Sequence, residues 1–530
     1  MPDVIIPLDF APGIQRDGTA LDAQRALDAL WCRWRLGRPR KMGGFSRITN
    51  TLKGIPRTIH AFYSGSQIYL HVGTTVGIQQ VVIDIYGNVV STADRTPVGM
   101  SFNGQATDWT LDAMFDTTTS QVKLIAHASS NAGSIAASAQ TTPLLGQLTA
   151  SSALALFSDP GSYGGGTWTL PSVAGGIVCV QPFVFDFDIN GFVQWSGPNQ
   201  PLTLGITGGG SGGSTATGAG QARISAQKIV AGAPIRGGGT NQPAALFWSL
   251  SEVITCVYVG SSAGYVAFST LSDSSSVLSG KTIVEHDAMY YWVGRDRFLM
   301  YNGTVQEIPN TQNQDWFFNN LTPGYEGKAY GMKMPLYGEI WFCAPMFGNT
   351  EPSHAVILNI RDQCWYDTVL PNGGRSAGRS AQGLAFPIMG GSVPDNTGYK
   401  LWRHEVGTDQ VEVATNTAVR SYFETPWIGA QKSQPPVDKG LSIQQLEPDF
   451  VQTGDLSVSV IGTSNARAPI SVSAPVPLRY VPQVPQEQFV SFKESHRMLR
   501  LHIESNVLGG NYIAGKNLLH VMPAEGRLVS

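Results

Sequence analysis

The stretch TIVEHDAMYYWVGRDRFLMYNGTVQEIPNTQNQDWFFNN (residues 282–320) decides the fold class. Its aromatic and apolar runs are too short for helices, and turns separate them. Asn302-Gly303 is the strongest of these turn signals and predicts a type I′ turn, in which both central residues have positive φ. The stretch therefore predicts a three-stranded antiparallel meander with strands over 288–293, 297–301 and 304–308.

Similar short units recur along the chain, and most of them carry an aromatic residue. They lie at 61–72, 109–128, 179–195, 245–260, 339–360 and 398–406. Small antiparallel units that repeat in this way are typical of a β-propeller. Because their spacing is irregular, a sandwich stays open as the alternative. The sequence favours an all-β fold with a propeller-like domain of short antiparallel meanders.

The composition limits the possible functions. With 530 residues and 42% hydrophobic residues, the chain can bury two or three cores. Only 14% of the residues are charged, against roughly 25% in ordinary globular domains. The net charge of −3 argues against a protein that coats nucleic acid, since such proteins are usually strongly basic. A polar but weakly charged surface suits extensive contact with other subunits.

The five cysteines predict buried free thiols rather than disulfides. Their number is odd, and no two of them form a C-x-x-C pair. No apolar run approaches the roughly 18 residues that a membrane span requires. We therefore expect no membrane span, and folding in a reducing cytoplasm.

The N-terminal region combines a helix signal with a short strand. Thr19 and Asp22 match a capping box and predict a short helix over 19–30. The strand that follows, WCRWRLG (31–37), alternates apolar and basic residues, so its apolar face should be buried. The apolar face comprises Cys32, Trp34 and Leu36.

The same region is strongly basic. Between residues 30 and 83 there are eight Lys or Arg residues and no acidic residue. Such a concentration predicts a basic face that is merely solvated, or that contacts an acidic partner or DNA phosphates. The candidate docking residues on this face are Arg33, Arg35, Arg38 and Arg40.

The C-terminal region predicts a second β domain. QKSQPPVD (431–438) has the composition of a linker, and the strands at 456–460 and 499–503 alternate apolar with polar residues. We expect these half-buried strands to pair with the N-terminal strand as a terminal β platform. The predicted domains are the N-terminal platform segment (1–56), the propeller-like domain with a Gly-rich surface loop at 205–220 (57–430), and the C-terminal platform (431–530).

Several segments imitate catalytic or metal-binding motifs. Asp186 and Asp188 begin a pattern like a calcium loop, but its twelfth position is Gly197 instead of a carboxylate. A hairpin with Phe183, Phe185 and Phe187 in the core and both aspartates outside explains the pattern better. The carboxylate pairs Glu285/Asp287 and Glu339/Asp362 occur in no recognisable catalytic context. The sequence therefore predicts no enzyme, no catalytic residue, no cofactor and no metal site.

Four stretches resemble the tail nozzle proteins of short-tailed bacteriophages, the family of tail tubular protein B and packaged-DNA stabilisation protein. The first is the opening meander. The others are APIRGGGTNQPAALFWSL (233–250), YGEIWFCAP with HAVILNIRDQCWYD (337–367), and LEPDFVQTGDLSVSVIG with SFKESHRMLRLHIES (446–505). These segments form the fold and carry no catalytic residues.

The resemblance implies a virion structural protein of a podovirus tail. Such a protein forms a homohexamer around a DNA channel, docks below the adaptor ring, helps to retain packaged DNA and supports genome ejection. Tail fibres or a tail needle are further possible partners, and contact with DNA in the channel should be non-specific. The alternatives are a propeller-type enzyme and a receptor-binding protein that act on host cell-surface polysaccharide.

Overall fold

The structure, a computed structural model, shows a chain that is nearly all β. This confirms the predicted fold class. The predicted linker at 431–438 and most of the Gly-rich loop, 208–217, lie outside the described residues. The described residues are 4–48, 51–102, 104, 106–129, 142–161, 167–170, 175–207, 218–235, 244–260, 265–380, 384, 386–413, 415–429, 440–481 and 488–524.

The secondary structure consists of many short strands and a few helical turns. Among the residues described, seven strands precede the first blade: β1 (Val4–Pro7), β2 (Ala11–Ile14), β3 (Arg25–Ala26), β4 (Asp28–Leu30), β5 (Cys32–Arg35), β6 (Arg38–Lys41) and β7 (Phe45–Arg47). The helical segments in the described part are α1 (Gln314–Asn319) and the 3₁₀ turns Pro201–Thr203, Gly280–Thr282 and Glu326–Lys328.

Seven antiparallel sheets, called blades 1 to 7, then follow in chain order. Blade 1 comprises β8 (Pro56–Ser64), β9 (Gln67–Thr74), β10 (Gly77–Asp84) and β11 (Val89–Asp94). Blade 2 comprises β12 (Asp108–Asp116), β13 (Gln121–Ser129), β14 (Leu144–Gln147) and β15 (Ala155–Leu156). A separate pair, β16 (Thr167–Trp168) and β20 (Ile206–Thr207), flanks blade 3, which comprises β17 (Gly176–Val180), β18 (Phe183–Phe187), β19 (Phe192–Trp195) and β21 (Gly220–Arg223).

The remaining blades repeat this pattern. Blade 4 comprises β22 (Ile229–Pro234), β23 (Ala244–Ser249), β24 (Val253–Tyr258) and β25 (Val266–Ser272). Blade 5 comprises β26 (Val284–His286), β27 (Met289–Val293), β28 (Phe298–Tyr301) and β29 (Val305–Glu307). Blade 6 comprises β30 (Tyr330–Met334), β31 (Glu339–Ala344), β32 (His354–Asn359) and β33 (Cys364–Val369), and blade 7 begins with β34 (Arg375–Arg379), β35 (Ile388–Gly391) and β36 (Leu401–His404).

Thirteen strands complete the described part of the chain. They are β37 (Asp409–Val411), β38 (Asn416–Ala418), β39 (Ser421–Glu424), β40 (Ile428–Gly429), β41 (Gly440–Glu447), β42 (Phe450–Thr453), β43 (Leu456–Thr463), β44 (Ser471–Val472), β45 (Val476–Leu478), β46 (Val490–His496), β47 (Met498–Ser505), β48 (Asn511–Ala514) and β49 (Leu518–Ala524).

The blades form a closed ring. The first strands of neighbouring blades contact one another from β8 through β12 and β17 to β22, and from β26 through β30 to β34, and β34 contacts β8. Between β22 and blade 5 the contact runs through the 3₁₀ turn at 280–282. The inner strands crowd together at the axis: a Cβ added at Gly331 would lie 2.4 Å from Val284 Cγ2. The body is therefore propeller-like, with seven blades formed by the described residues.

A strand that precedes blade 1 in the chain completes the sheet of blade 7 and so closes the ring. β7 pairs antiparallel with β36, with Phe45 opposite His404 and Arg47 opposite Trp402, and thus becomes the fourth strand of blade 7. β37 and β38 extend this sheet. Residues 45–47 therefore pair with the body, although the predicted boundary assigned them to the platform.

Blade 5 contains the predicted meander. Its three strands are present, and a fourth, β26, precedes them. The predicted type I′ turn at Asn302-Gly303 is wrong: only Gly303 there has a positive φ, because three residues connect Tyr301 to Val305. The two-residue turn with two positive φ values, Asp287 (51°) and Ala288 (63°), lies two hairpins earlier, between β26 and β27.

Aromatic side chains fill the spaces between blades. Trp248 of blade 4 meets Trp292 of blade 5 edge-on, with ring centroids 5.8 Å apart. Phe298 of blade 5 packs against Phe342 of blade 6 with centroids 5.4 Å apart. Such pairs add about 0.5–1.5 kcal/mol each beyond the apolar area that they bury.

Both ends of the chain form the platform, as predicted. The expected pairing of the strand at 31–37 with the strands at 456–460 and 499–503 is wrong, because β5 pairs with β6 while β43 and β47 belong to another sheet. Its three sheets have the strand orders β1-β49-β41-β46, β4-β39-β47-β43-β44 and β42-β48-β6-β5, so each combines N-terminal with C-terminal strands. Val458 lies opposite Ile503 and Val460 opposite Leu501, which confirms the half-buried C-terminal strands. Strands β39 and β40 pair with β47, although the predicted boundary placed them in the propeller-like domain.

The helix predicted over 19–30 is wrong. The Thr19 hydroxyl donates to Asp22 Oδ2 (2.5 Å) and the Asp22 amide donates to the Thr19 carbonyl, but this motif closes only a turn. Residues 25–26 then pair with β2, and 28–30 pair with β39. Partners distant in sequence therefore override the local helix signal. The cysteine prediction is confirmed, since all five thiols are free and buried.

Candidate functional site: the tip of the N-terminal hairpin

The predicted docking arginines lie on the hairpin β5–β6. Arg33 lies opposite Arg40 and Arg35 opposite Arg38, so all four project from one face. Trp34, on the other face, is fully buried, with its ring centroid 5.5 Å from that of Tyr366 in blade 6. The alternation of faces predicted from the sequence is therefore confirmed.

Arg33 is not a docking residue, which corrects the sequence prediction. Its side chain is 1% exposed. The guanidinium donates from Nε to Glu339 Oε1 (2.8 Å) and from Nη2 to Glu405 Oε1 (2.6 Å). It also lies 3.5 Å from the centroid of the Tyr337 ring. The arginine face is thus covered here by blade 6, which carries Glu339, and by Glu405, which follows β36 of blade 7.

The ion pairs of Arg33 form a closed clamp. Glu339 also accepts hydrogen bonds from Trp341 Nε1 (2.8 Å) and the Tyr366 hydroxyl (2.6 Å). Burial alone would lower the pKa of Arg33, but Glu339 and Glu405 hold it well above its ordinary value. Burial would likewise raise the pKa of Glu405, but Arg33 keeps it lowered. Arg33 and Glu405 are therefore ionised. Together with Glu339 they form a clamp that fixes the hairpin to the body.

The end of the hairpin is accessible. Arg35, Arg38 and Arg40 are half-buried, and no carboxylate among the described residues forms an ion pair with them. Burial, followed by the charge of Arg35, lowers the pKa of Arg40. Leu36, expected to be buried beside Trp34, is instead 85% exposed, because it occupies the turn beyond the last paired residues.

Blade 6 contributes the rest of this surface. The Leu36 amide donates to Asp362 Oδ2 (3.1 Å), and Arg35 lies 5.7 Å from the Tyr337 ring. Leu336 is 66% exposed, and Arg361 donates to its carbonyl (3.0 Å). We call this surface the tip patch, and it comprises Arg35, Leu36, Arg38, Arg40, Leu336, Tyr337 and Arg361.

Sequence reasoning missed the contribution of blade 6 to this site. The available signal was an apolar residue within a turn: Leu336 lies in PLYG (335–338), and Leu36 immediately precedes Gly37. Both leucines occupy positions at which turns usually carry polar residues. No local pattern places two segments 300 residues apart on one surface.

The other sequence candidates have structural roles. Asp188 Oδ1 accepts from the amides of Asn190 (2.8 Å) and Phe192 (2.9 Å), which closes the predicted hairpin. Asp186 was expected outside but is 3% exposed, and burial raises its pKa well above the ordinary value. Glu285 pairs with Lys333 (2.9 Å). Within the described ranges, no group of three or more His, Cys, Asp or Glu side chains is arranged to hold a metal ion.

A small cavity lies on the axis of the body. It measures about 250 Å³ and is lined by residues of the inner strands, among them His60 and Asp112. Two ion pairs join blades that are not neighbours: Arg57 with Glu351 (2.6 Å) and Lys281 with Asp108 (3.7 Å). The axis of the body is therefore crossed by side chains.

Comparison of the sequence with protein-family models and with curated proteins gave no match. No helix in the described part of the chain has both the length and the apolar character needed to cross a membrane. The fold and the site define an all-β protein with a propeller-like body, a platform built from both chain ends, and a basic and apolar patch where the two meet.

Proposed function

We propose that this chain is a structural subunit of the tail of a short-tailed bacteriophage and has no catalytic role. Six copies form the nozzle ring, which continues the DNA channel below the adaptor, helps to retain the packaged genome and supports its ejection. The protein then resides in the tail of the virion. Tail fibres or a tail needle bind to the assembled ring.

The observation that carries this proposal is the pairing of both chain ends into one platform beside the propeller-like body. The platform packs on blade 6, where Trp31 and Trp341 meet with ring centroids 6.1 Å apart and β33 contacts β4 and β5. A subunit of this form has one rigid end for docking and a large body that projects from it. This is the arrangement that the resemblance to nozzle proteins implies.

In this proposal, DNA passes along the axis of the ring of subunits and not along the axis of each body. Two cavities lined by inner strands measure about 250 and 350 Å³, which is room for a small number of water molecules. Six copies would carry a formal charge of six times −3, or −18. A weakly negative bore lets a phosphate backbone slide, so binding to DNA is non-specific and weak.

The test is cryo-electron microscopy of the phage that encodes the chain, with and without a fluorescent protein fused to its C terminus. We expect six additional densities around the tail axis, below the adaptor. Absence of the chain from purified particles would overturn the proposal. So would a location on the capsid or on peripheral spikes. Release of reducing sugar from host envelope polysaccharide by the purified chain would instead favour the enzyme.

A further inference from the structure

We infer that the tip patch is a preformed docking site for an acidic protein surface with an apolar socket that receives Leu36. This inference rests on the proposed function, because it assumes a subunit that is joined to another virion protein. The side chains of the tip patch then define the chemistry by which the two proteins recognise each other.

Among the described residues, no carboxylate forms an ion pair with the hairpin arginines of the patch. Arg35, Arg38 and Arg40 are adjacent on one hairpin face. Three carboxylates lie close to this hairpin. Glu339 and Glu405 pair with Arg33, and Asp362 accepts hydrogen bonds from the Leu36 amide and the Asn359 side chain. Like charges held close together repel one another and contribute nothing favourable to the monomer. A partner that supplies carboxylates removes this repulsion.

The turn of the hairpin presents a leucine under backbone strain. Leu36 and Gly37 have φ values of 54° and 72°. A two-residue turn with two positive φ values favours Asn-Gly, and leucine is a poor fit to its first position. This leucine is also 85% exposed, with the 66% exposed Leu336 on the same surface. A strained and exposed apolar side chain at a hairpin tip is explained by a partner that buries it.

The combination of side chains identifies a protein partner rather than nucleic acid. Arginine and tyrosine around a buried apolar anchor are typical of the centre of protein interfaces. A phosphate backbone is bound by basic and polar groups and does not require exposed leucines. Leu36 is therefore the anchor, and the arginines set the orientation of the partner.

The patch is also rigid before binding. The clamp of Arg33 with Glu339 and Glu405 joins the hairpin to blades 6 and 7. Asp362 fixes the backbone of Leu36 from blade 6. A site held in this way loses little conformational freedom on docking, which favours affinity.

The experiment supplies full-length variants to a phage that lacks its own copy of the gene and measures their amount per purified particle. Leu36→Asn removes the anchor side chain, but asparagine tolerates a positive φ, so the variant protein should melt at or above the wild-type temperature. A second variant carries Arg35→Gln and Arg38→Gln. Each should reduce incorporation by about tenfold or more, as for truncated hot-spot residues. Matched controls are Val98→Asn, at a 96% exposed position in the body, and Arg295→Gln, at an exposed turn of blade 5.

The outcomes separate this inference from the proposed function. If wild-type chain is absent from particles, the proposed function fails. If wild type is incorporated and the folded variants enter particles equally well, only the docking inference fails. In a parallel sample, a photoreactive benzoylphenylalanine at position 336, beside the intact Leu36, should crosslink to an Asp- or Glu-rich segment of another virion protein. Crosslinking to DNA or to a second copy of this chain would overturn the assigned partner.

Discussion

Replacing Arg33 by leucine should destabilise the protein strongly. The change leaves Glu339 and Glu405, whose side chains are 0% and 8% exposed, without the cation that lies 2.8 and 2.6 Å away. Removing one partner of a buried ion pair costs about 3–5 kcal/mol, because a buried charge is left uncompensated. Two carboxylates are affected here, so we expect the upper half of this range.

The loss should depend on pH in a defined direction. In the wild type the pKa of Glu405 lies below 4.5, so its stabilising contribution is present above that pH and is lost as the pH falls through the folded-state pKa. In the variant, burial without the cation raises the pKa of Glu405, so the variant loses stability as the pH rises. The difference in unfolding free energy should therefore be larger at pH 8 than at pH 5.

Urea denaturation followed by tryptophan fluorescence measures this effect, because Trp341 donates directly to Glu339. Arg38→Leu on the same hairpin is the matched control, and it should change stability by no more than about 0.5 kcal/mol. Replacing Arg33, Glu339 and Glu405 together by leucine should recover part of the loss. A loss below about 1 kcal/mol for Arg33→Leu, or one that is independent of pH, would refute the clamp.

Three further predictions concern other parts of the molecule. Burial alone would lower the pKa of His502, but hydrogen bonds to Glu424 and Glu504 raise it to about 9. The stabilising contribution of His502 should therefore be complete below about pH 6.5 and lost as the pH rises through 9. The unfolding free energy of the His502→Gln variant should lack this pH dependence. Burial raises the pKa of the Cys32 thiol to about 12, and all five thiols are buried. A thiol reagent should therefore modify the native chain slowly, whereas it should modify all five cysteines in denaturant. Rapid modification of the native chain would contradict the packing. Gly331→Ala should cost about 1–3 kcal/mol in unfolding free energy, because its Cβ would lie 2.4 Å from Val284 Cγ2; a neutral effect in urea denaturation would show that the inner strands have room.

Local patterns in the sequence determined the fold class and much of the organisation. Alternating apolar and polar residues identified the strands that contain Val458 and Ile503, and short aromatic runs between turns identified the meander of blade 5. Alternation reports which side chains share a face of a strand, since successive side chains point to opposite faces. It therefore also grouped Arg33 with Arg35 correctly.

Only the tertiary structure decided what covers each face. Arg33 meets Glu339 and Glu405, which lie 306 and 372 residues further along the chain, and no local pattern encodes such a distance. The same applies to β7, whose partner strand β36 closes the ring, and to residues 19–30, where distant strands override a helix signal. Alternation made Leu36 an apolar-face residue, but burial depends on whether another element reaches that face. At the tip of the hairpin none of the described elements covers it, so Leu36 is exposed.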